Sequence, residues 1–278
     1  MEKMINTPKP VWLSLLLLMT VIVIIIIPEK RLRYNSPHFR IIYSSVIQTD
    51  RIIEIANALE ENYGRISGNL KTIPSPQMEV NVYAPRWRYI QATGHWDASG
   101  NIEGTSKLHF VEQPWGDSDV EKVAVHEFTH AVVLKLLLDN EKQPVDAKNF
   151  DLKFSKFPVW LWEAVSVYEA GQFHHPKMFA LFANGSFPNL HELNDRSKSQ
   201  TIYDVGYTIT EYILHEYGND KLVALIKSYG DLNAVLDVSE KEFTEGWHEF
   251  VEGRYLKHEA PEVKTYFSKK LSRGTIKR

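Results

Sequence analysis

The sequence predicts an α+β chain: a mixed sheet with a helix in the N-terminal half, followed by a helical C-terminal half. Three observations lead there. Apolar and polar residues alternate at Met78 to Tyr83, as a half-buried strand requires. Apolar residues recur at helical spacing through most of the chain after Glu121. Gly64, Gly218 and Gly230 stand where helical patterns stop.

The elements follow in order. Val11 to Ile27 is apolar except for Ser14 and Thr20, between Pro10 and Pro28. As a helix it would span about 25 Å, at the short end for a membrane crossing. A secretory signal peptide is the rival reading, but Pro28-Glu29-Lys30-Arg31 replaces the small residues of a cleavage site. Residues 1–29 are therefore read as a short tail and a single-pass transmembrane helix, and residues 30–278 as one domain. Within it, an α/β part covers about 39–140 and a helical part about 158–256. After a basic linker, Phe39 to Ser44 is a first strand. Asp50 to Tyr63 is a helix on the spacing of Ile52, Ile53, Ile55, Ala56 and Leu59, with Gly64 as its stop. Pro74 and Pro76 mark a loop before the strand Met78 to Tyr83. Residues 85–93 form a short aromatic-rich helix, Gly94 to Gly104 a turn, and Thr105 to Val111 a strand. Ser118-x-x-Glu121 is a capping box that opens a helix running to about Leu138. Asn140 to Pro158 is irregular, and further helices fall at about 159–171, 202–217, 219–229 and 239–256.

Composition narrows the function. A net charge of -3 gives no electrostatic case for nucleic acid as a partner. The absence of cysteine removes disulfides, thiolate metal sites and cysteine nucleophiles. It also agrees with an extracytoplasmic domain at the cell membrane, which is the expected location. The flanking charges pull the other way: Lys30, Arg31, Arg33 and Arg40 outnumber Lys3 and Lys9, and the positive-inside rule taken literally keeps the domain in the cytoplasm.

The chemistry centres on His126-Glu127-Phe128-Thr129-His130. Histidines four residues apart share one helical face and can grip one metal ion, and Glu127 beside them can take a proton from water. A catalytic zinc needs a third protein ligand and an open position. Glu163 is the candidate, because it lies in the apolar stretch Pro158 to Tyr168, where a carboxylate is costly unless metal-bound or paired with Lys or Arg.

Trp160-Leu161-x-Glu163-x-x-Ser166-x-Tyr168 resembles the Trp-Leu-x-Glu-Gly-x-Ala-x-Tyr segment of gluzincin metallopeptidases, the thermolysin and aminopeptidase N type with a peptidase MA-like domain. The resemblance implies a zincin-like fold, one zinc ion, and Glu163 as third ligand after His126 and His130. Ala164 and Ser166 depart from the pattern, both as small-for-small changes. Tyr203-Asp204-Val205-Gly206 resembles the Tyr-x-x-Gly segment of aminopeptidase N relatives, which implies that the Tyr203 hydroxyl stabilises the oxyanion, with Tyr207 as rival. Glu245-Gly246-Trp247 and Phe250 are similar to the close of bacterial peptidase MA-like domains. In gluzincins an edge strand pairs with substrate, and residues 104–110 are the candidate here.

The expectation is a membrane-anchored zinc peptidase acting on a peptide or protein substrate, with Glu127 as general base. No glycine is followed two residues later by methionine, so nothing resembles the Gly-x-Met-x-Asn motif of the aminopeptidases, and endopeptidase activity is expected. The alternative is a gluzincin-like domain that binds or regulates at the cell envelope without turnover. His95, His174, His175, His215 and His248 are read as loop or surface residues.

Overall fold

A computed structural model of the chain describes residues 29–114, 119–185, 187–195 and 200–257. Val11 to Ile27, the run expected to be a membrane anchor, lies outside them; among the described residues no helix is long and apolar enough to cross a membrane.

β1 (Arg31–Asn35) and β2 (Phe39–Ser44) pair antiparallel. β1 lies in the stretch read as a basic linker. Its alternation explains the strand: Leu32 and Tyr34 pack on the core while Arg33 and Asn35 are exposed. α1 (Thr49–Asn69) then crosses to β3 (Met78–Tyr83), which runs parallel to β2. The helix does not stop at Gly64. Fully buried Ile66 extends its apolar stripe, and the interior glycine costs only about 1 kcal/mol of propensity.

α2 (Arg86–Thr93) leads to β4 (Gly100–Glu103) and β5 (Lys107–Val111), which pair antiparallel, and β5 runs parallel to β3. The sheet order is β1-β2-β3-β5-β4, so β4 is an edge. β4 occupies the end of the stretch expected to be a turn. Its Gly-Asn-Ile-Glu composition hides a strand whose residues are at most half-buried.

Phe39, Ile41, Tyr43, Met78, Val80, Val82, Leu108 and Phe110 fill one face of the sheet, in one core with α1 and α3 (Val120–Asn140). Asp119 caps α3, accepting from the Glu121 N–H at 3.1 Å, while Ser118 lies outside the described residues. α3 is apolar around most of its circumference because it is wedged between the sheet, α1 and the C-terminal helices.

The helical half begins with α4 (Ala147–Phe154), inside the stretch read as irregular, capped by Asp146. Next come α5 (Val159–Glu169), α6 (His175–Ala183), α7 (Leu190–Leu193) and α8 (Gln200–Glu216). α9 (Asn219–Lys227), α10 (Leu232–Leu236) and α11 (Glu240–Val251) follow, and α11 runs into a π-helical turn at Glu252–Leu256. α4, α6, α7 and α10 are additions to the expected set, and α7 and α10, at four and five residues, are too short for periodicity to reveal. Helices α5 and α8 pack closely: a Cβ at Gly206 would lie 3.1 Å from the Ala164 Cα. Ala164, one of the two small residues that depart from the gluzincin pattern, is thus half of a tight crossing that brings α8 against the residues described next. Trp247 of α11 is buried, and its Nε1 donates to Thr208 Oγ1 of α8 at 2.9 Å, so its part is packing.

Candidate metal centre

α3 presents His126 and His130 one turn apart on a face turned away from water. Their rings stand at 88° with centroids 4.5 Å apart. α5 crosses that face and delivers Glu163. His126 Nε2 lies 3.1 Å and His130 Nε2 3.5 Å from the same Glu163 Oε2. All three ligand-type atoms fall within 4.8 Å of one another, and the three side chains are buried. A Lys or Arg partner for Glu163 was the other expectation; among the described residues its ion pairs are with the two histidines alone.

The outer nitrogens are held as well. Gln172 Oε1 lies 2.8 Å from His126 Nδ1, and Ser166 Oγ 2.9 Å from His130 Nδ1. The Trp162 ring stacks on His130 at 4.3 Å and 8°. These contacts fix both imidazoles with Nε2 toward Glu163.

Electrostatics separate the two carboxylates. Burial would raise Glu163, but the charge of His130 and hydrogen bonds from both histidines outweigh it and hold the carboxyl far below the usual range. Burial pulls His126 down, but the hydrogen bond and charge of Glu163 win and its pKa is raised. Glu127 has no such compensation: burial, with the Glu163 charge adding and His126 opposing, pushes it up to about 7. One carboxylate is a fixed anion; the other is poised to exchange a proton near neutrality.

Glu127 meets edge strand β4 directly. A Cβ at Gly100 would lie 2.5 Å from Glu127 Oε1 and 2.7 Å from its Cγ. Only a glycine leaves the carboxylate where it is. Gly100→Ala is therefore expected to turn the Glu127 side chain aside while the fold stays intact, which circular dichroism and a crystal structure of the variant would check.

Tyr203, at the start of α8, lies against the cluster, with its ring centroid 6.0 Å from that of His126. Tyr207 is buried, and its hydroxyl is 2.9 Å from His175 Nδ1. Residues 104–110 do not form the edge strand expected for substrate: 107–111 are β5, paired on both sides, and among the described residues the edge on that side of the sheet is β4. The weaker histidines lie apart from the cluster. His95 and His215 are exposed, His174 stands just before α6 without a side-chain cap, and half-buried His248 contacts the Pro188 carbonyl at 2.9 Å.

Gln172, Trp162 and Gly100 went unread in the sequence. Trp162 and Gln172 flank motif positions and carried no periodic signal, and Gly100 was absorbed into a supposed turn.

The donor set of two imidazoles and one carboxylate, with no thiolate in the chain, suits zinc. No protein-family model matches the chain, and no curated protein matches it. Among solved structures it is similar to a mutant M1 zinc metallopeptidase from Deinococcus radiodurans, at 13% identity and a TM-score of 0.44, over 82% of this chain and 53% of that one. A second M1 zinc metallopeptidase structure from the same organism gives 13% and 0.41, over 82% and 52%. An aminopeptidase N family protein from Idiomarina loihiensis gives 12% and 0.36, over 80% and 41%. The chain spans about half the length of the first two, or less than half of the third.

Proposed function

We propose that the chain is a zinc-dependent peptidase, tethered to the cell membrane by its N-terminal apolar run with the domain outside the cytoplasm. The observation that carries this reading is the convergence of His126, His130 and Glu163 within 4.8 Å, with no Lys or Arg paired to Glu163 among the described residues. His126, His130 and Glu163 would hold one zinc ion. When bound, the ion polarises a substrate carbonyl and makes water nucleophilic at neutral pH.

The chain's own residues supply the rest. Glu127 takes the proton of the attacking water onto its carboxylate and passes it to the leaving amine nitrogen. Its pKa of about 7 suits both transfers. The Tyr203 hydroxyl donates a hydrogen bond to the oxyanion, a contribution on the order of 3 kcal/mol to the transition state. β4, an edge of the sheet among the described residues, offers backbone groups to an extended substrate beside Glu127. Endopeptidase action is part of the proposal, resting on the missing Gly-x-Met-x-Asn motif.

Peptide hydrolysis tests the reading. Activity is expected to vanish on chelation and return with one equivalent of zinc, and an N-terminally blocked peptide should be cut as well as its free-amine counterpart. Hydrolysis that persists in metal-free protein would overturn the proposal. Zinc binding without turnover would favour the envelope binding module instead.

A further inference from the structure

The end of α5 is built to aim one side chain at His126. Gly171 takes up a left-handed conformation (φ 62°) just after the helix. The Gly171 N–H donates to the Tyr168 carbonyl at 3.0 Å and the Gln172 N–H to the Val167 carbonyl at 3.0 Å, the paired bonds of a Schellman cap. From α3, Lys122 Nζ donates to the Gly171 carbonyl at 2.9 Å and pins the turn against the helix that carries both histidines. The residue that emerges from this turn is Gln172, with its Oε1 2.8 Å from His126 Nδ1. One helical turn beyond Glu163, Ser166 Oγ meets His130 Nδ1 at 2.9 Å. A single helix and its cap therefore supply the candidate carboxylate ligand and an oxygen for each histidine's outer nitrogen.

We propose that Gln172 is the positioning residue of the metal site: its amide oxygen accepts from His126 Nδ1–H, which keeps Nε2 turned toward Glu163 as the nitrogen that would give its lone pair to the ion. Ser166 does the same for His130. The inference rests on the proposed metal centre and adds to it a specific property. Both orienting groups are neutral, where a carboxylate would make the imidazole a stronger donor, so the site binds its metal less tightly than the same three ligands could. Tightening should be available by a one-atom-class change at position 172.

The test measures zinc affinity of the full chain by competition with a chromophoric chelator, with the cobalt-substituted visible spectrum and the melting temperature of the metal-free protein alongside. Gln172→Leu is expected to bind zinc about 10- to 100-fold more weakly than wild type and to alter the cobalt spectrum. Gln172→Glu should restore the acceptor and bind more tightly than wild type. Gln172 is partly exposed, so both variants are expected to fold with unchanged melting temperature. Gln172→Leu with wild-type zinc affinity would overturn this inference alone, as would a Gln172→Glu variant weaker than wild type. If Gln172→Leu melts early and its folded fraction keeps wild-type affinity, the residue is structural and the inference fails. A wild-type chain that binds no zinc would overturn the metal centre itself.

Discussion

Replacing Glu127 with glutamine is expected to lower kcat for peptide hydrolysis by about 10²- to 10⁴-fold, the range that a positioned general base supplies. Zinc affinity should change little, because Glu127 is not among the three converging groups. The same substitution should stabilise the metal-free protein at neutral and alkaline pH. The sign follows from the raised pKa. Below the ordinary value of 4.5 the carboxyl is protonated folded or unfolded, and the residue costs nothing. As pH rises toward about 7 the unfolded chain ionises while the buried group resists, so stability is lost across that window and the cost stays constant above it. At about 1.4 kcal/mol per pKa unit, the full cost is on the order of 3 kcal/mol. Glutamine removes it. Chemical denaturation of both proteins at pH 8 and pH 4.5 checks the claim: Glu127→Gln should be more stable only at the higher pH. Equal stability at pH 8 would mean that Glu127 is solvated, and that its proton is not tuned by burial.

The second large effect is on the metal. Glu163→Ala leaves two imidazoles with no carboxylate between them, and zinc affinity is expected to fall by more than about 100-fold, beyond what loss of an orienting contact costs. Affinity in the wild type should also fall on acidification. Glu163 raises the pKa of His126, so protons compete with the ion for Nε2, and the metal is released as pH drops through the histidine range. Equilibrium dialysis of wild type and Glu163→Ala against buffered zinc at several pH values measures both. Retention of stoichiometric zinc by Glu163→Ala would remove the residue from the ligand set.

Much of this site was legible in the sequence, for a physical reason. A pentapeptide with histidines four apart constrains geometry by helix periodicity alone, and a carboxylate amid tryptophan, leucine and valine announces an unusual partner. His126, His130 and Glu163 come within 4.8 Å of one another in the structure. What could not be read is held by tertiary contact. Gln172 reaches His126 only because a Schellman turn and Lys122 aim it, and no local pattern encodes that meeting. Gly100 is needed bare because Glu127, which lies in a different element, occupies the space of its side chain. β1 and β4 are edge strands, one rich in arginine and the other in small polar residues, and their pairing is set by their neighbours. Gly64 shows the converse: a local stop signal overridden because Ile66 has a core to enter.

One zinc ion is proposed to sit among His126, His130 and Glu163. Anomalous diffraction at the zinc edge, from crystals of the zinc-loaded protein, tests it most directly. The expected result is one strong peak about 2.0–2.2 Å from the Nε2 atoms of both histidines and from a Glu163 carboxylate oxygen. A peak elsewhere, or none at this cluster in protein that carries zinc, would contradict it.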